Sequence, residues 1–184
     1  MATSNAPTLI LSGARAALAA AEAHANRIGV PMNIAIVDSH CHLLTFTRMD
    51  GAKVTSINIA IDKAFTAAGH RVPTSSYKEN VWPGGVAFGI WNTNGGRFCP
   101  IGGGVPIISE DGHVLGAIGC STGTPMQDEE VASAGRDAVL AMIKEKVAVQ
   151  TRKEEERQTK RARSDVKPVE SVIFEGVILD QAKL

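Results

Sequence analysis

Apolar residues recur along this chain with two different periods, and the switches between them divide it into elements. From residue 8 to 28, Leu9, Ile10, Ala14, Ala17, Leu18, Ala21 and Ala25 return every three or four positions, the period of one helix face. Gly29 supplies a stop, with Pro31 just beyond it. Residues 33–37 and 42–47 are short, apolar and β-branched, and Asp38-Ser39-His40-Cys41 between them is turn-forming. The pair predicts a hairpin. Helical spacing returns in Ile57, Ile61, Ala64, Phe65 and Ala68, with Thr55 or Ser56 as cap and an end near Gly69-His70, ahead of Pro73.

Residues 74–80 predict a short helix, and 86–91 a strand inside a loop-rich passage opened by Trp82-Pro83-Gly84-Gly85. Gly95-Gly96 turns the chain into residues 97–101, and segments 106–109 and 113–120 flank Glu110-Asp111-Gly112 as a second hairpin. A last helix follows Asp128, with Val131, Ala134, Ala138, Val139 and Ile143 on one face. The predicted fold is α+β: a single domain over residues 1–146, with one antiparallel sheet of about five strands and flanking helices.

Residues 147–184 differ in character. Glu154-Glu155-Glu156 lies between basic clusters, which suits a solvated helix braced by opposite charges. Lys160-Arg161-Ala162-Arg163 reads first as part of that solvated face, not as a nucleic-acid patch. Residues 169–179 alternate apolar and acidic positions like an edge strand, able to pack on its own domain or on a neighbouring subunit. The final Ala182, Lys183 and Leu184 match the small–basic–leucine form of the peroxisomal import signal. In a eukaryote this predicts an import receptor as partner and a peroxisome or glycosome as destination; in a bacterium the same ending carries no meaning and the expectation is cytoplasmic.

Composition narrows the function classes. A chain of 184 residues suffices for one well-buried core. A formal net charge of zero argues against an electrostatic hold on nucleic acid. No apolar run is long enough to span a bilayer, and the first residues lack a secretory pattern. Three unpaired cysteines, Cys41, Cys99 and Cys120, suit reduced thiols better than a disulfide framework.

Candidate chemistry is sparse. Asp38, His40 and His42 are two apart, a spacing that puts metal-binding groups on one strand face, although the predicted turn breaks the alternation. His42, which starts the second strand, is the better-placed imidazole. His24 is expected to be exposed, and His70 to complement the dipole of a helix end. None of the histidines has an obvious serine or cysteine partner for nucleophilic catalysis. Gly102, Gly103 and Gly104 form a loop that can present N–H groups to an anionic ligand such as a carboxylate, or serve close packing. It lacks the spacing of a nucleotide-binding loop. Asp128 reads first as a helix N-terminal charge, Asp50-Gly51 as a turn, and Lys63 as a helix-surface cation.

Several of these segments, taken in order, resemble the GlcG/HbpS family, which includes the carboxyl-terminal domain of PduO-type proteins. The carrying residues are Ala35-Ile36-Val37-Asp38, Cys41-His42-Leu43, Asp50-Gly51-Ala52, Lys63-Ala64-Phe65-Thr66-Ala67, Pro73-Thr74, Gly103-Gly104-Val105-Pro106, Gly116-Ala117-Ile118-Gly119 and Gln127-Asp128. The resemblance spans residues 8–145. It implies a profilin-like fold, assembly into homo-oligomers and, for some members, haem binding. Cys41 stands where relatives often have glycine, and the charged extension is an addition.

Two function classes follow beside a scaffold role for the extension. One is a haem- or tetrapyrrole-binding protein with His42, Met126 or Cys41 as iron ligand. The other is an organellar enzyme acting on a small organic acid, with the glycine loop, Asp38, Asp50 and Lys63 near a pocket and Asp128 among the candidate ligand-binding residues.

Overall fold

The computed structural model describes residue 2 and residues 5–165, with side chains as far as Arg161. The strand expected at 169–179 and the terminal Ala182, Lys183 and Leu184 lie outside the described residues. The chain divides into two units, Met1–Glu145 and Lys146–Leu184. In order, the elements are α1 (Leu11–Arg27), β1 (Asn33–Asp38), β2 (Leu43–Arg48), α2 (Ser56–His70), β3 (Gly104–Ile108), β4 (Val114–Ser121) and α3 (Pro125–Asp165). The part of α3 in the second unit is exposed at nearly every described position, as the charge pattern predicts.

The strands form one antiparallel sheet in the order β2-β1-β4-β3. Both hairpins fall where turn residues predict them. The two middle strands are the most apolar, because they are covered on both faces. Ile34, Ile36, Val105, Ile107, Ile118 and Cys120 point to one side, where α1 and the first turns of α3 bring Ala14, Ala17, Ala21, Ala25, Val131 and Val139. Ala35, Val37 and Ala117 point to the other, against Ala60, Ala64 and Ala67 of α2. An alanine-lined helix face brings backbones close, which is how a chain poor in aromatics fills its core.

The sheet has four strands, not about five. The segment expected as a strand at 86–91 is a series of tight turns, and Val86 is 96% exposed. Its backbone groups are satisfied locally, with Gly85 N–H donating to Trp82, Ala87 to Asn80, Phe88 to Gly85 and Ile90 to Ala87. Gly84 and Gly89 take positive φ of 89° and 86°, which breaks the extended run that a ladder needs. The first helix also starts later than expected. Leu9 N–H donates to the Leu115 carbonyl at 2.8 Å, so residues 8–10 are tied to the sheet before the helix begins.

Gly119 faces α2, where an added β-carbon would overlap the Ala60 carbonyl oxygen. Gly119→Ala is expected to destabilise the fold by at least about 1–3 kcal/mol, read as a lower urea midpoint. An unchanged midpoint would mean that α2 does not pack this closely.

Candidate functional site

Helix α2 carries a lysine on its buried face. Lys63 is 1% exposed, between turns occupied by Ala60, Ala64 and Ala67. Its Nζ donates to Asp128 Oδ2 at 2.7 Å and to the Cys120 carbonyl at 3.0 Å. Asp128 Oδ1 accepts from Gly123 N–H at 2.9 Å. Lys63 is thus no surface cation, and Asp128, also buried, ties the end of β4 and the first turn of α3 to α2. Burial pushes the Asp128 carboxyl above its ordinary value, against the opposing pull of the Lys63 ammonium and the Gly123 N–H.

The glycine loop serves this pair. A β-carbon on Gly103 would lie 2.6 Å from Asp128 Cβ and 2.8 Å from Lys63 Nζ, and its φ of 121° disfavours any side chain. A β-carbon on Gly104 would lie 2.7 Å from Thr74 Cγ2. Gly104 N–H donates to Thr74 Oγ1 at 2.9 Å, and that hydroxyl donates to the Ile101 carbonyl at 2.6 Å. Gly102 is buried beside Pro125 and Glu129. The three glycines approach the chain itself and do not wall an open cavity.

The other expected site residues are dispersed. Asp38 sits at the far end of β1, paired with Gly116, whereas the Lys63–Asp128 pair gathers at the Ser121 end of β4. Asp38 Oδ1 accepts from His40 N–H at 2.8 Å and His42 N–H at 2.9 Å, closing the hairpin turn. Burial alone would raise the Asp38 carboxyl; those N–H groups and the nearby His42 hold it below its usual range. The His42 side chain is 79% exposed, with Nδ1 3.4 Å from Asp38 Oδ2. Cys41 holds φ of 66°, the conformation in which glycine is at ease, and packs on α2 with its thiol toward the Phe65 carbonyl. Burial and then the Asp38 charge push that thiol up, away from a reactive thiolate. Met126 is 85% exposed on the first turn of α3, away from the hairpin. Asp50 lines an open cleft of about 420 Å³ with Glu22, Asn26, Pro31 and Met49 at the end of α1. Among the described residues, no three His, Cys, Asp or Glu side chains gather as a metal site.

Two histidines differ from expectation. His24 is mostly covered, bonded to Glu130 of α3 at 2.6 Å and to Arg27. His70 does more than end a helix. Asp62, Thr66 and His70 lie four residues apart on one stripe of α2, and that stripe receives residues 97–99. Arg97 Nε donates to Asp62 at 3.1 Å, with its guanidinium 4.0 Å from the Phe65 ring centre. Cys99 N–H donates to Thr66 Oγ1 at 2.9 Å. Phe98 meets the His70 ring edge-on at 4.6 Å, and the Tyr77 hydroxyl lies 2.7 Å from His70 Nδ1. The sequence signal for this cluster was the four-residue spacing alone, since its partners come from an irregular segment.

A model of the haem degrading, HbpS-like proteins matches residues 9–137. The chain belongs to the HbpS-like family. It is similar to an uncharacterized 15.0 kDa protein from the dhaT–dhaS intergenic region of Citrobacter freundii, 39% identical over 130 residues that cover 71% of this chain and 91% of that protein. Among solved HbpS-like folds, it matches Klebsiella pneumoniae protein ORFY with a TM-score of 0.73 and 33% identity, over 76% of this chain and 95% of that one. It also matches PduOC, solved as a haem complex, with a TM-score of 0.67 and 29% identity, over 71% of this chain and 94% of that one.

Removing one member of a buried ion pair strands the other. Lys63→Met and Asp128→Leu are each expected to cost about 3–5 kcal/mol, and the double variant to cost clearly less than their sum. Urea unfolding of all four proteins checks this; additive losses would mean the two groups are not coupled.

Proposed function

We propose that this protein binds haem or a closely related metal tetrapyrrole. The observation that carries the reading is its likeness to PduOC, a relative of the same fold whose structure was solved with haem. Its own residues fit such a guest. A haem iron needs one protein ligand on a face of its ring, not a cage. His42 and His70 are both exposed imidazoles whose Nδ1 sits beside an oxygen-bearing side chain, Asp38 for one and Tyr77 for the other. That arrangement orients the ring and leaves Nε2 outward for a metal. The partner of His42 is a carboxylate and that of His70 a phenol, so the two imidazoles would tune an iron differently.

The organic-acid reading loses its geometric support. It required Asp38, Asp50, Lys63 and the glycine loop near one pocket, and those groups lie at separate places in the fold. Lys63 is buried and already paired with the Asp128 carboxylate and a carbonyl, which disfavours a role toward a substrate carboxylate.

Titrating the purified chain with ferric hemin is expected to give a shifted Soret band that saturates at about one haem per chain, as a single axial site requires. A spectrum that stays that of free hemin would contradict the reading.

A further inference from the structure

The segment between α2 and β3 concentrates the chain's few aromatics: both tryptophans, the one tyrosine and two of the five phenylalanines. Tyr77, Val81 and Phe98 form a small buried cluster there, with Ala87, Ile90 and Trp91 packed against it. Phe88 meets Trp91 edge-on at 5.1 Å. Val72, Trp82, Val86 and Phe88 nevertheless remain exposed. Large exposed apolar side chains gathered in one short segment offer area that a bound molecule can cover.

We propose that His70 is the axial ligand of the bound haem iron, with Tyr77 orienting the imidazole and the aromatic segment forming the apolar support for the macrocycle. This rests on the haem-binding reading above and names its site.

Three features favour His70 over His42. The first is anchoring. Tyr77 is nine-tenths buried and its hydroxyl is 2.7 Å from Nδ1, whereas the Asp38 Oδ2 facing the His42 imidazole is 3.4 Å from its Nδ1. The Tyr77 hydroxyl oxygen is placed to accept the Nδ1–H that iron ligation through Nε2 leaves behind. No protein partner takes His70 Nε2 among the described residues.

The second is the surrounding surface. His70 lies edge-on to Phe98 at 4.6 Å and beside Tyr77, two members of the cluster on which Trp91 packs, whereas His42 stacks on His40 in a turn with Asp38 and Ser39. A porphyrin face needs apolar area, which only the first neighbourhood supplies in quantity. The third is charge. Arg71 and Lys78 directly follow His70 and Tyr77 and are exposed, with Glu79 as the one nearby acid in that stretch. Two cations suit the two carboxylates of a haem.

The test uses the full chain and ferric hemin, read by Soret absorption and by electron paramagnetic resonance for imidazole ligation. Wild type and His42→Ala are expected to give the same imidazole-ligated spectrum. His70→Ala is expected to lose it and to bind at least about tenfold more weakly, the loss that even an outer partner of a metal ligand can bring. Free imidazole added to His70→Gly should restore the spectrum, which a merely structural role for His70 would not allow. Tyr77→Phe, which leaves the ligand in place, should keep the spectrum but shift the ferrous iron–histidine stretching frequency. An unaltered spectrum in His70→Ala, or its loss in His42→Ala, would overturn the assignment while leaving haem binding intact. No binding by wild type would overturn both.

Discussion

Helix α2 lies so close to the sheet that its backbone oxygens fill the space where β-carbons of Gly104 and Gly119 would sit. That approach depends on small residues on both sides, Ala60, Ala64 and Ala67 against Ala35, Ala117 and Gly119. Close packing at this density tolerates no added methyl without displacement. It also explains why a lysine can be spent in the interior. Lys63 reaches from α2 into the seam where β4 ends and α3 begins, and its ammonium bonds to both at once. Removing water from that charge is costly on its own, and the carboxylate of Asp128 offsets the cost.

Once α2 is seated, its outward stripe becomes a fixed platform. Asp62, Thr66 and His70 sit one turn apart, so residues 97–99 can bond or pack against successive turns. The irregular segment between α2 and β3 is thereby pinned at both ends, by Thr74 at Gly104 and by Arg97 at Asp62. Loops held by a rigid scaffold are where binding groups are commonly placed. Here the platform ends in an imidazole, and the loop brings the aromatic surface beside it.

Much of the architecture was legible in the order of residues. The α1 stripe of alanines, the two hairpins and the bounds of α2 all follow from period and turn chemistry. The strand at 86–91 was misread because apolar content alone does not make a strand; Gly84, Gly85 and Gly89 let the backbone satisfy itself in turns. The site was harder. Lys63 looks like any helix-surface cation until Asp128 arrives from 65 residues away, and no local pattern announces such a pair. Gly102, Gly103 and Gly104 look alike whether they face a ligand or a neighbouring helix. His70 gained its meaning from Tyr77 and Phe98, which only the fold brings to it. Membership of the HbpS-like family was readable from ordered short motifs, each weak alone, because their spacing reflects this packing.

The most direct measurement is an iron anomalous difference map from crystals of the full chain grown with hemin. The account predicts one strong peak bonded to His70 Nε2, with the ring lying against the aromatic segment between α2 and β3. A peak bonded to His42, Met126 or any other side chain, with His70 left in solvent, would contradict it.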